Sequence, residues 1–417
     1  MQLETILNRV TQYKPFVCES AAWDEQAPTL TLRVRMRARK NGSPVCSRCG
    51  ERRPGYDRLP ERSWEFVPLW QIVVLLVYAP RRVDCPTCGV VVERVPWGEG
   101  KCQQTHEYRW FLARWAKRLS WKETASVFRT SWDTVYRSVR HAVMWGIAHR
   151  ELDGIEAIGI DEVQYQRGHH YLTLVYQIQE GVKRLLWVAP ERTEESLRFF
   201  LTSLREETRA GIRYVCTDMW KPYMNVITET LSQSIHILDR FHIMSNMNKA
   251  IDEVRRSEAK RMEHDGYEPL LKNSRWCLLK RAENLTVKQA VKLKELLRYN
   301  LQSVRAHLQR EDFQRFWDYK QPRAAGRFLD EWCRRAMLSK IEPMKKVARS
   351  LREHRSLLLN WFRAKGTVSS GTVEGFNNKV KLTMRKSYGF RTYEAVETAL
   401  YHNLGALPEP EFTHEFC

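Results

Sequence analysis

Two features that the sequence lacks limit what the protein can be. No apolar run is long enough to cross a bilayer, because the most apolar segment, Phe66–Ala79, contains Pro68 and Gln71 and falls short of about 20 residues. The first residues, Met1 to Thr5, also lack the basic and apolar pattern of an export signal. We therefore expect no membrane span, a cytoplasmic location and cysteines that stay reduced.

Acidic residues are scarce relative to basic ones. Aspartate and glutamate number 49 against 69 lysines and arginines, which gives a formal net charge of +20. Such an excess favours a polyanionic partner, usually nucleic acid, because each neutralised phosphate releases counterions. Basic residues that merely solvate the surface are the alternative. The length of 417 residues also exceeds what one hydrophobic core serves, so we expect about two to four domains.

Four of the ten cysteines form two Cys-x-x-Cys pairs, and each pair is followed by glycine. These cysteines are Cys46, Cys49, Cys85 and Cys88. Four thiolates in this pattern can surround Zn²⁺ tetrahedrally, and free buried thiols are the alternative. We predict a zinc-ribbon DNA-binding domain over residues 1–100, in which Leu30–Met36 alternates apolar and polar residues like an edge strand.

Residues 101–150 have the pattern of a helix-turn-helix domain. Ser120 and Glu123 form a capping box at the start of a helix over Trp121–Arg129, and a second helix follows over Trp132–Arg140. The second helix is the candidate reader of the DNA major groove, although short helix pairs also occur in many α-rich proteins. The outward-facing basic residues expected to contact DNA are Lys122, Arg137 and Arg140.

The central part of the chain alternates strands and helices. The predicted elements are Ala157–Tyr165, His170–Gln179, Lys183–Ala189, Glu194–Thr208, Tyr214–Asp218, Lys221–Leu231 and Ile235–Leu238. Three strands joined by tight turns, followed by alternating helices and strands, is the order of a ribonuclease-H-like mixed sheet, which makes the chain a multidomain α/β protein. We assign residues 151–242 to the first part of this catalytic core.

Three acids stand at positions suited to phosphodiester chemistry. Asp161 and Asp218 each interrupt or end an apolar, β-branched run, and Glu374 begins a helical pattern. Magnesium or manganese prefers oxygen ligands, and two such ions can stabilise the attacking and leaving oxygens of an in-line displacement. Glu162 competes with Asp161 for the first position, but the period-two alternation of a strand turns it to the opposite face.

The helix that begins near Glu374 also carries cationic and amide residues on one face. Either Ser370 or Thr372 can cap this helix. The residues that recur at three- and four-residue steps with Glu374, and that we expect to contact DNA, are Asn377 or Asn378, Lys381 and Arg385. Lys221 is a further expected DNA contact.

Residues 243–368 are predicted to be an all-helical insertion, which accounts for the long separation of Asp218 from Glu374. Its predicted helices are Asn246–Glu263, Thr286–Ala306 and Met337–Arg363. A solvated bundle or dimerisation surface and direct DNA contact are equally compatible with its charge. Residues 369–417 are then assigned to the catalytic core as the third-acid helix and tail.

With these motifs in place, nearly the whole chain resembles the DDE transposases of bacterial insertion sequences, specifically the ISL-three family. The motifs that carry the resemblance are Gly159-Ile160-Asp161-Glu162, Gly168–Thr173, Thr217–Tyr223, Asp239-Arg240-Phe241-His242, Val373–Lys381 and Tyr388–Arg391. The paired cysteines and the helix-turn-helix pattern match the N-terminal modules of the family.

The resemblance implies transposition, in which metal-dependent hydrolysis at the element's ends exposes a 3′ hydroxyl that attacks target DNA. It assigns metal binding to Asp161, Asp218 and Glu374. Asp239 and His242 would lie beside them to orient the scissile phosphate or support the fold. His242 is also a candidate proton acceptor, and a purely structural pair is equally compatible.

The resemblance also implies the partners. These are the terminal inverted repeats and the target DNA, bound in the bacterial nucleoid by a homodimer or a higher assembly, because two ends must be joined. A catalytically inactive, transposase-derived DNA-binding regulator and a structure-selective nuclease of the same fold are the alternatives.

Overall fold

The structure is a computed structural model that describes residues 3–11, 13–40, 42–166, 168, 170–364, 370–387 and 389–411. The motif residues His169 and Tyr388, and the side chain of the candidate cap Ser370, lie outside this description. The chain divides into two units, one from the described parts of 1–150 and 386–417 and the other from 151–385. Within the described residues, no helix combines the length and the apolar character needed to cross a membrane.

The first unit begins with one helix and seven strands. They are α1 (Leu3–Thr11), β1 (Phe16–Trp23), β2 (Thr31–Ala38), β3 (Gly55–Arg58), β4 (Arg62–Leu69), β5 (Ile72–Tyr78), β6 (Arg81–Cys85) and β7 (Gly89–Val92). One sheet has the order β1-β2-β5-β4 and a second has the order β3-β6-β7. Trp64 and Trp97 lie at the centre of the core beneath the four-stranded sheet.

The predicted edge position of the strand over Leu30–Met36 is wrong. Strand β2 is internal and pairs antiparallel with β1 and parallel with β5. Its alternating arginines Arg33, Arg35 and Arg37 are exposed because one face of this sheet meets solvent, and each arginine forms an ion pair with an acid. A solvated face produces the same alternation as an edge, so the pattern alone did not separate the two.

Three helices follow in the same unit: α2 (His106–Arg118), α3 (Trp121–Val127) and α4 (Trp132–His149). The predicted capping box is confirmed, since the Ser120 hydroxyl accepts a hydrogen bond from the Glu123 backbone N–H at 3.2 Å and the Glu123 carboxylate accepts one from the Ser120 N–H at 2.8 Å. Val135 and Val139 of α4 are buried. The second helix extends well beyond its predicted end at Arg140.

The second unit contains a five-stranded mixed sheet. Its strands are β8 (Ala157–Gln164), β9 (Tyr171–Gln177), β10 (Arg184–Pro190), β11 (Tyr214–Thr217) and β12 (Ile235–Leu238), in the order β10-β9-β8-β11-β12. β10, β9 and β8 are antiparallel, whereas β11 and β12 are parallel to β8. All five predicted strands are confirmed to within a few residues.

Three helices connect these strands: α5 (Glu194–Ser203), α6 (Glu206–Gly211) and α7 (Lys221–Thr230). The single helix predicted over Glu194–Thr208 is therefore two helices, because Leu204 takes an extended conformation and is buried in the core. The helix predicted over Lys221–Leu231 is confirmed, and Pro222 stands in its first turn, where the ring is tolerated.

The helical insertion contains seven α-helices in its described part, with two short 3₁₀ turns between them. The helices are α8 (Arg240–His264), α9 (Arg275–Leu279), α10 (Val287–Leu296), α11 (Gln302–Gln314), α12 (Pro322–Leu338), α13 (Glu342–Glu353) and α14 (Arg355–Arg363). Their core is built around Phe313, Phe316 and Trp332. α14 packs on β12, where the Asn360 amide donates to the His236 carbonyl at 2.8 Å.

Two of the helices predicted in the insertion are wrong, because each is broken. The run predicted over Thr286–Ala306 separates into α10 and α11, since the buried carboxylate of Glu258 accepts hydrogen bonds from the backbone N–H groups of Gln302 and Ser303 and begins a new helix there. The run predicted over Met337–Arg363 breaks first at Lys340, where φ is +58°. These causes depend on tertiary contacts and backbone conformation, which helical periodicity does not reveal.

Helix α15 (Ser370–Lys386) packs on the sheet of the second unit. A Cβ placed on Gly159 in β8 would lie 2.5 Å from Cγ2 of Val373, so the absence of a side chain at Gly159 permits the close approach. The rings of Phe376 and Tyr176 stack beside this contact with centroids 4.6 Å apart.

Helix α16 (Tyr393–Leu404) belongs to the first unit, which differs from the predicted assignment of all of 369–417 to the catalytic core. Its buried face packs on α4, and Leu407 lies against Gly146, where a Cβ would come within 2.7 Å of the leucine side chain. Glu409 then pairs with Arg114 at 2.8 Å and with Lys117 at 2.9 Å. These apolar and ionic contacts place α16 and the residues after it in the first unit.

Replacing Gly159 by alanine should destabilise the second unit by about 1–3 kcal/mol, because the added methyl overlaps Val373. Gly375→Ala is the matched control on α15: no atom lies within 4 Å of its added Cβ, and alanine favours a helix over glycine. Urea unfolding of the two variants should show loss of stability only at Gly159. A Gly159→Ala protein as stable as the wild type would contradict the described packing.

Acid should destabilise the first unit through His402. Burial lowers the pKa of His402 in the folded protein to about 3. Between about pH 6.5 and pH 3, His402 is therefore protonated in the unfolded chain and neutral in the folded one. This contribution is complete above pH 6.5 and is lost as the pH falls towards 3, by about 1.4 kcal/mol per pH unit. In urea unfolding between pH 7.5 and 5, His402→Leu should show a shallower decline than the wild type. Equal slopes would contradict the prediction.

Candidate active site and cysteine cluster

Three aspartates stand level across three neighbouring parallel strands: Asp161 lies within β8, whereas Asp218 and Asp239 directly follow β11 and β12. The pairs that set the register are Cys216 with Gly159 and Thr217 with Leu238. Continuing this register by one or two residues brings Asp218 level with both Asp161 and Asp239. Because adjacent strands lie about 4.8 Å apart, the three residues form a row across these strands.

Asp161 is the member of this row that contacts helix α15. One carboxylate oxygen accepts a hydrogen bond from the Glu162 backbone N–H at 2.8 Å, and the other accepts one from the Asn377 amide. The amide oxygen of Asn377 in turn accepts a hydrogen bond from the Tyr176 hydroxyl at 3.0 Å. Asp161 therefore holds α15 in place through buried hydrogen bonds that link the side chains of Asp161, Asn377 and Tyr176.

Asp218 uses both of its carboxylate oxygens. Oδ1 accepts a hydrogen bond from the Trp220 backbone N–H at 2.9 Å, and Oδ2 pairs with Nη2 of Arg192 at 2.8 Å. The same guanidinium contacts Oε1 of Glu162 through Nε at 2.7 Å and lies 4.2 Å from the centroid of the Trp220 ring. Sequence reasoning missed Arg192, whose one signal is its position just after β10.

The sequence correctly predicted that Glu162 faces away from Asp161, since Asp161 contacts α15 and Glu162 contacts Arg192. Glu162 is nevertheless linked to Asp218, because Arg192 contacts the carboxylates of both residues. Asp218 can reach this arginine because it lies just beyond the end of β11. Burial raises the pKa of Glu162 to about 7, and the charge of Asp218 adds to this shift while Arg192 opposes it.

Asp239 and His242 lie at the first turn of α8. The Asp239 side chain accepts a hydrogen bond from the Phe241 backbone N–H at 2.7 Å and caps the helix. Nε2 of His242 lies 3.6 Å from Oδ1 of Asp161. Burial lowers the pKa of His242, but hydrogen bonding to Asp161 and the charges of Asp161, Asp239 and Asp218 outweigh burial and raise this pKa to about 9. The imidazole is therefore protonated at neutral pH.

A cavity of about 330 Å³ opens beside these groups. The residues that line it are Glu162, Arg192, Asp218, Met219, Trp220, His242, Asn246 and Lys249. Carboxylates attract metal cations, whereas the arginine and lysine attract anions such as phosphate. The lining therefore suits a phosphate bound together with divalent cations.

Glu374 is exposed and lies one helical turn before Asn377 on α15. Asn378, Lys381 and Arg385 share the exposed side of this helix with Glu374, whereas Asn377 is only 8% exposed and is directed at Asp161. The structure thus separates the two asparagines that the sequence left as alternatives.

The remaining basic residues expected to contact DNA are all exposed: Lys122, Arg137, Arg140 and Lys221. Arg137 pairs with Asp133 one turn earlier on α4.

The carboxylates of Asp161, Asp218 and Glu374 are hard oxygen donors of the kind that magnesium and manganese prefer, so the donor chemistry fits these ions. Among the described residues, only the four cysteines bring three or more metal-binding side chains to within 4.8 Å of one another. The carboxylates of the three acids do not form so compact a cluster in the described part of the chain.

The four cysteine sulfurs of Cys46, Cys49, Cys85 and Cys88 form a compact cluster in the first unit. The sulfurs of Cys49 and Cys85 are 3.7 Å apart, close to the edge of about 3.8 Å in a tetrahedron with Zn–S bonds of about 2.3 Å. Gly50 and Gly89 follow the two pairs with φ of +78° and +73°, a conformation that glycine adopts without strain. The predicted set of four cysteines is thus gathered as zinc requires.

Comparison with known proteins agrees with this geometry. A family model described as "Transposase", that of the ISL3 (ISL-three) DDE transposases, matches residues 158–400. The transposase for insertion sequence element IS1001 of Bordetella parapertussis is 27% identical over 379 residues, which cover 90% of this chain and 92% of that relative. The transposase for insertion sequence element IS1557 of Mycobacterium tuberculosis is 28% identical over 411 residues, which cover 92% and 91%.

The matched region begins in β8, just before Asp161, and ends in α16, so it includes both strand acids, the insertion and the helix of Glu374. It spans more than half of the chain. The protein therefore belongs to the ISL3 family of DDE transposases.

Proposed function

We propose that this protein binds the terminal inverted repeats of a bacterial insertion sequence and catalyses metal-dependent strand cleavage and strand transfer. The observation that carries the proposal is the level placement of Asp161 and Asp218 on adjacent parallel strands, with the helix of Glu374 joined to Asp161 through Asn377. Two acids on strands and one on a helix is the arrangement that phosphodiester chemistry with two metal ions uses.

The proposal includes the identity of two folds. The sheet of the second unit, with three antiparallel strands followed by two parallel ones, is a ribonuclease-H-like core. Helices α3 and α4 form a helix-turn-helix, supported by the capped start of α3 at Ser120 and by the turn at Arg129, where φ is +51°. α4 would lie in the major groove.

Asp161, Asp218 and Glu374 would hold two magnesium or manganese ions. Bound ions would stabilise the charge on the attacking and leaving oxygens of the scissile phosphate. Asn377 acts as a positioning residue for Asp161 and not as a DNA contact. Its amide nitrogen donates to Asp161 and its amide oxygen accepts from the Tyr176 hydroxyl.

Asp239 and His242 support the acids from α8. Because its pKa is raised to about 9, His242 in the ion-free site carries a positive charge beside Asp161. The 3.6 Å approach of Nε2 to Oδ1 of Asp161 allows His242 to orient this acid. Asp239 fixes the start of α8 by accepting from the Phe241 N–H, and thereby fixes the position of His242.

Contacts to DNA are assigned to exposed basic and amide side chains that can neutralise or bind phosphates. On α15 and α7 these are Asn378, Lys381, Arg385 and Lys221, and in the first unit they are Lys122, Arg137 and Arg140. Double-stranded ends and target DNA are the proposed partners, and assembly of at least two chains on DNA follows from the need to join two ends.

Removing any one metal-binding acid should abolish cleavage and leave end binding intact. Asp161→Asn, Asp218→Asn and Glu374→Gln each remove one charged oxygen ligand, so cleavage of a duplex bearing the terminal repeats should fall by about a thousandfold or more. Gel shifts at a fixed salt concentration should show unchanged end binding, because the basic and amide residues proposed to contact DNA are unchanged in these variants.

Glu207→Gln is the matched control, since this exposed carboxylate lies on α6 away from the three strand ends. Normal cleavage by any of the three acid variants would remove that acid from the proposed site. A wild-type protein that binds ends without cutting in magnesium or manganese would instead be a transposase-derived regulator, and cutting of branched DNA without end preference would indicate a structure-selective nuclease.

Loss of one cysteine ligand should release zinc and weaken end recognition. Cys46→Ser or Cys88→Ser should reduce zinc from about one ion per chain to near zero, measured by native mass spectrometry, because metal binding and folding are coupled in such small modules. Cys102→Ser is the control, since Cys102 is outside the cluster. Full zinc content in both cluster variants would contradict the assignment.

A further inference from the structure

Arg192 contacts Asp218, but the proposed chemistry assigns this arginine no role. We propose that Arg192 is a charge clamp: it holds Asp218 while no divalent cation is bound, and it exchanges Asp218 for a DNA phosphate when the cations enter. Glu162 retains the guanidinium in both states. This inference rests on the proposed function, because it concerns the same acids and the same phosphate.

The guanidinium is held by three different groups. Its Nε contacts Oε1 of Glu162 at 2.7 Å, its Nη2 contacts Oδ2 of Asp218 at 2.8 Å, and its carbon lies 4.2 Å from the centroid of the Trp220 ring. The side chain of Arg192 is 33% exposed, whereas those of Glu162 and Asp218 are 9% and 17% exposed. The arginine therefore forms the cavity side of a largely buried pair of carboxylates.

The contact to Asp218 is the one that metal loading must break. Oδ1 of Asp218 already accepts from the Trp220 backbone N–H, so Oδ2 is the oxygen left for a cation. A magnesium ion about 2.1 Å from Oδ2 would lie close to Nη2, which is 2.8 Å from the same oxygen. Two positive groups cannot both occupy this position in a partly buried site, so the cation and the guanidinium compete for Asp218.

The other two contacts keep Arg192 at the site after Asp218 is released. The Nε contact to Glu162 and the stacking on Trp220 do not involve Oδ2 of Asp218. Glu162 lies on the face of β8 opposite to Asp161, so it remains with Arg192 when Asp161 binds metal. The released end of the guanidinium then stays in the cavity with its N–H groups unsatisfied.

A phosphate is the ligand that this released end would take. Arginine presents a planar set of donors that matches phosphate oxygens, and a charged pair in a partly buried cavity is strong. Asn246 and Lys249 on α8 line the same cavity and are exposed, so a polyanionic backbone meets further donors there. Cation entry and DNA binding would thereby favour each other. The cation releases the Arg192 guanidinium from Asp218, and the phosphate then neutralises the released guanidinium.

The test compares Arg192→Gln with Arg198→Gln, a control on α5 whose guanidinium pairs only at the surface with Glu229. Manganese binding to the whole protein without DNA, measured by isothermal titration calorimetry, should be about tenfold tighter for Arg192→Gln than for the wild type, the change that corresponds to about 1.4 kcal/mol. Added manganese should also raise Tm more in this variant. Arg198→Gln should match the wild type in both measurements.

The second measurement is the manganese dependence of cleavage on a duplex bearing the terminal repeats. Arg192→Gln should reach half-maximal rate at a lower manganese concentration and yet have a maximal rate reduced by about tenfold or more, because the phosphate loses its partner. A residue with a purely structural role would not shift the metal dependence and the maximal rate in these opposite senses.

Each outcome decides the inference. Manganese affinity that is unchanged or weaker in Arg192→Gln overturns the clamp, and tighter binding with wild-type cleavage overturns the exchange for phosphate. If Arg192→Gln does not fold, as judged by circular dichroism, Arg192→Lys decides instead, since lysine has a single nitrogen and lacks the separate Nε and Nη2 that contact Glu162 and Asp218. Tighter manganese binding supports the clamp, and equal or weaker binding overturns it. A wild-type protein that neither binds manganese at these acids nor cuts DNA would overturn the proposed function itself.

Discussion

The parallel pairing of β8, β11 and β12 is the constraint on which the rest of the catalytic unit depends. The register of these three strands brings Asp161, which lies within β8, level with Asp218 and Asp239, which directly follow β11 and β12. Three carboxylates in one partly buried row repel one another, so the surrounding structure has to supply positive charge and hydrogen-bond donors. Side chains from the elements around the sheet supply this positive charge and these donors.

Each neighbouring element contributes a donor to the row. Helix α15 contributes the amide of Asn377, α8 contributes the charged imidazole of His242, and the loop after β10 contributes the guanidinium of Arg192. Backbone N–H groups provide the rest, at Glu162, Trp220 and Phe241. These contacts tie elements that are distant in sequence to a single set of acids, and a cavity of about 330 Å³ opens beside them.

Patterns that arise from local chemistry were predicted well. The strands of the mixed sheet follow from β-branched apolar runs, the start of α3 follows from the Ser120–Glu123 capping box, and the cysteine cluster follows from two Cys-x-x-Cys pairs with trailing glycines. Elements whose limits depend on distant groups were predicted poorly. The start of α11 depends on the carboxylate of Glu258, and the place of α16 depends on the surface of α4.

By itself, the sequence determined the types of side chain that reach the site, because strand periodicity and helical spacing are local properties of the chain. It located Asp161, Asp218 and Glu374 on their elements and separated Glu162 from Asp161 by alternation. Only the tertiary structure decided which of the two asparagines on α15 binds Asp161, and that Arg192 joins Glu162 to Asp218. These outcomes required tertiary structure because a hydrogen bond or ion pair between distant segments depends on how the elements pack, and no periodicity within one element encodes that distance.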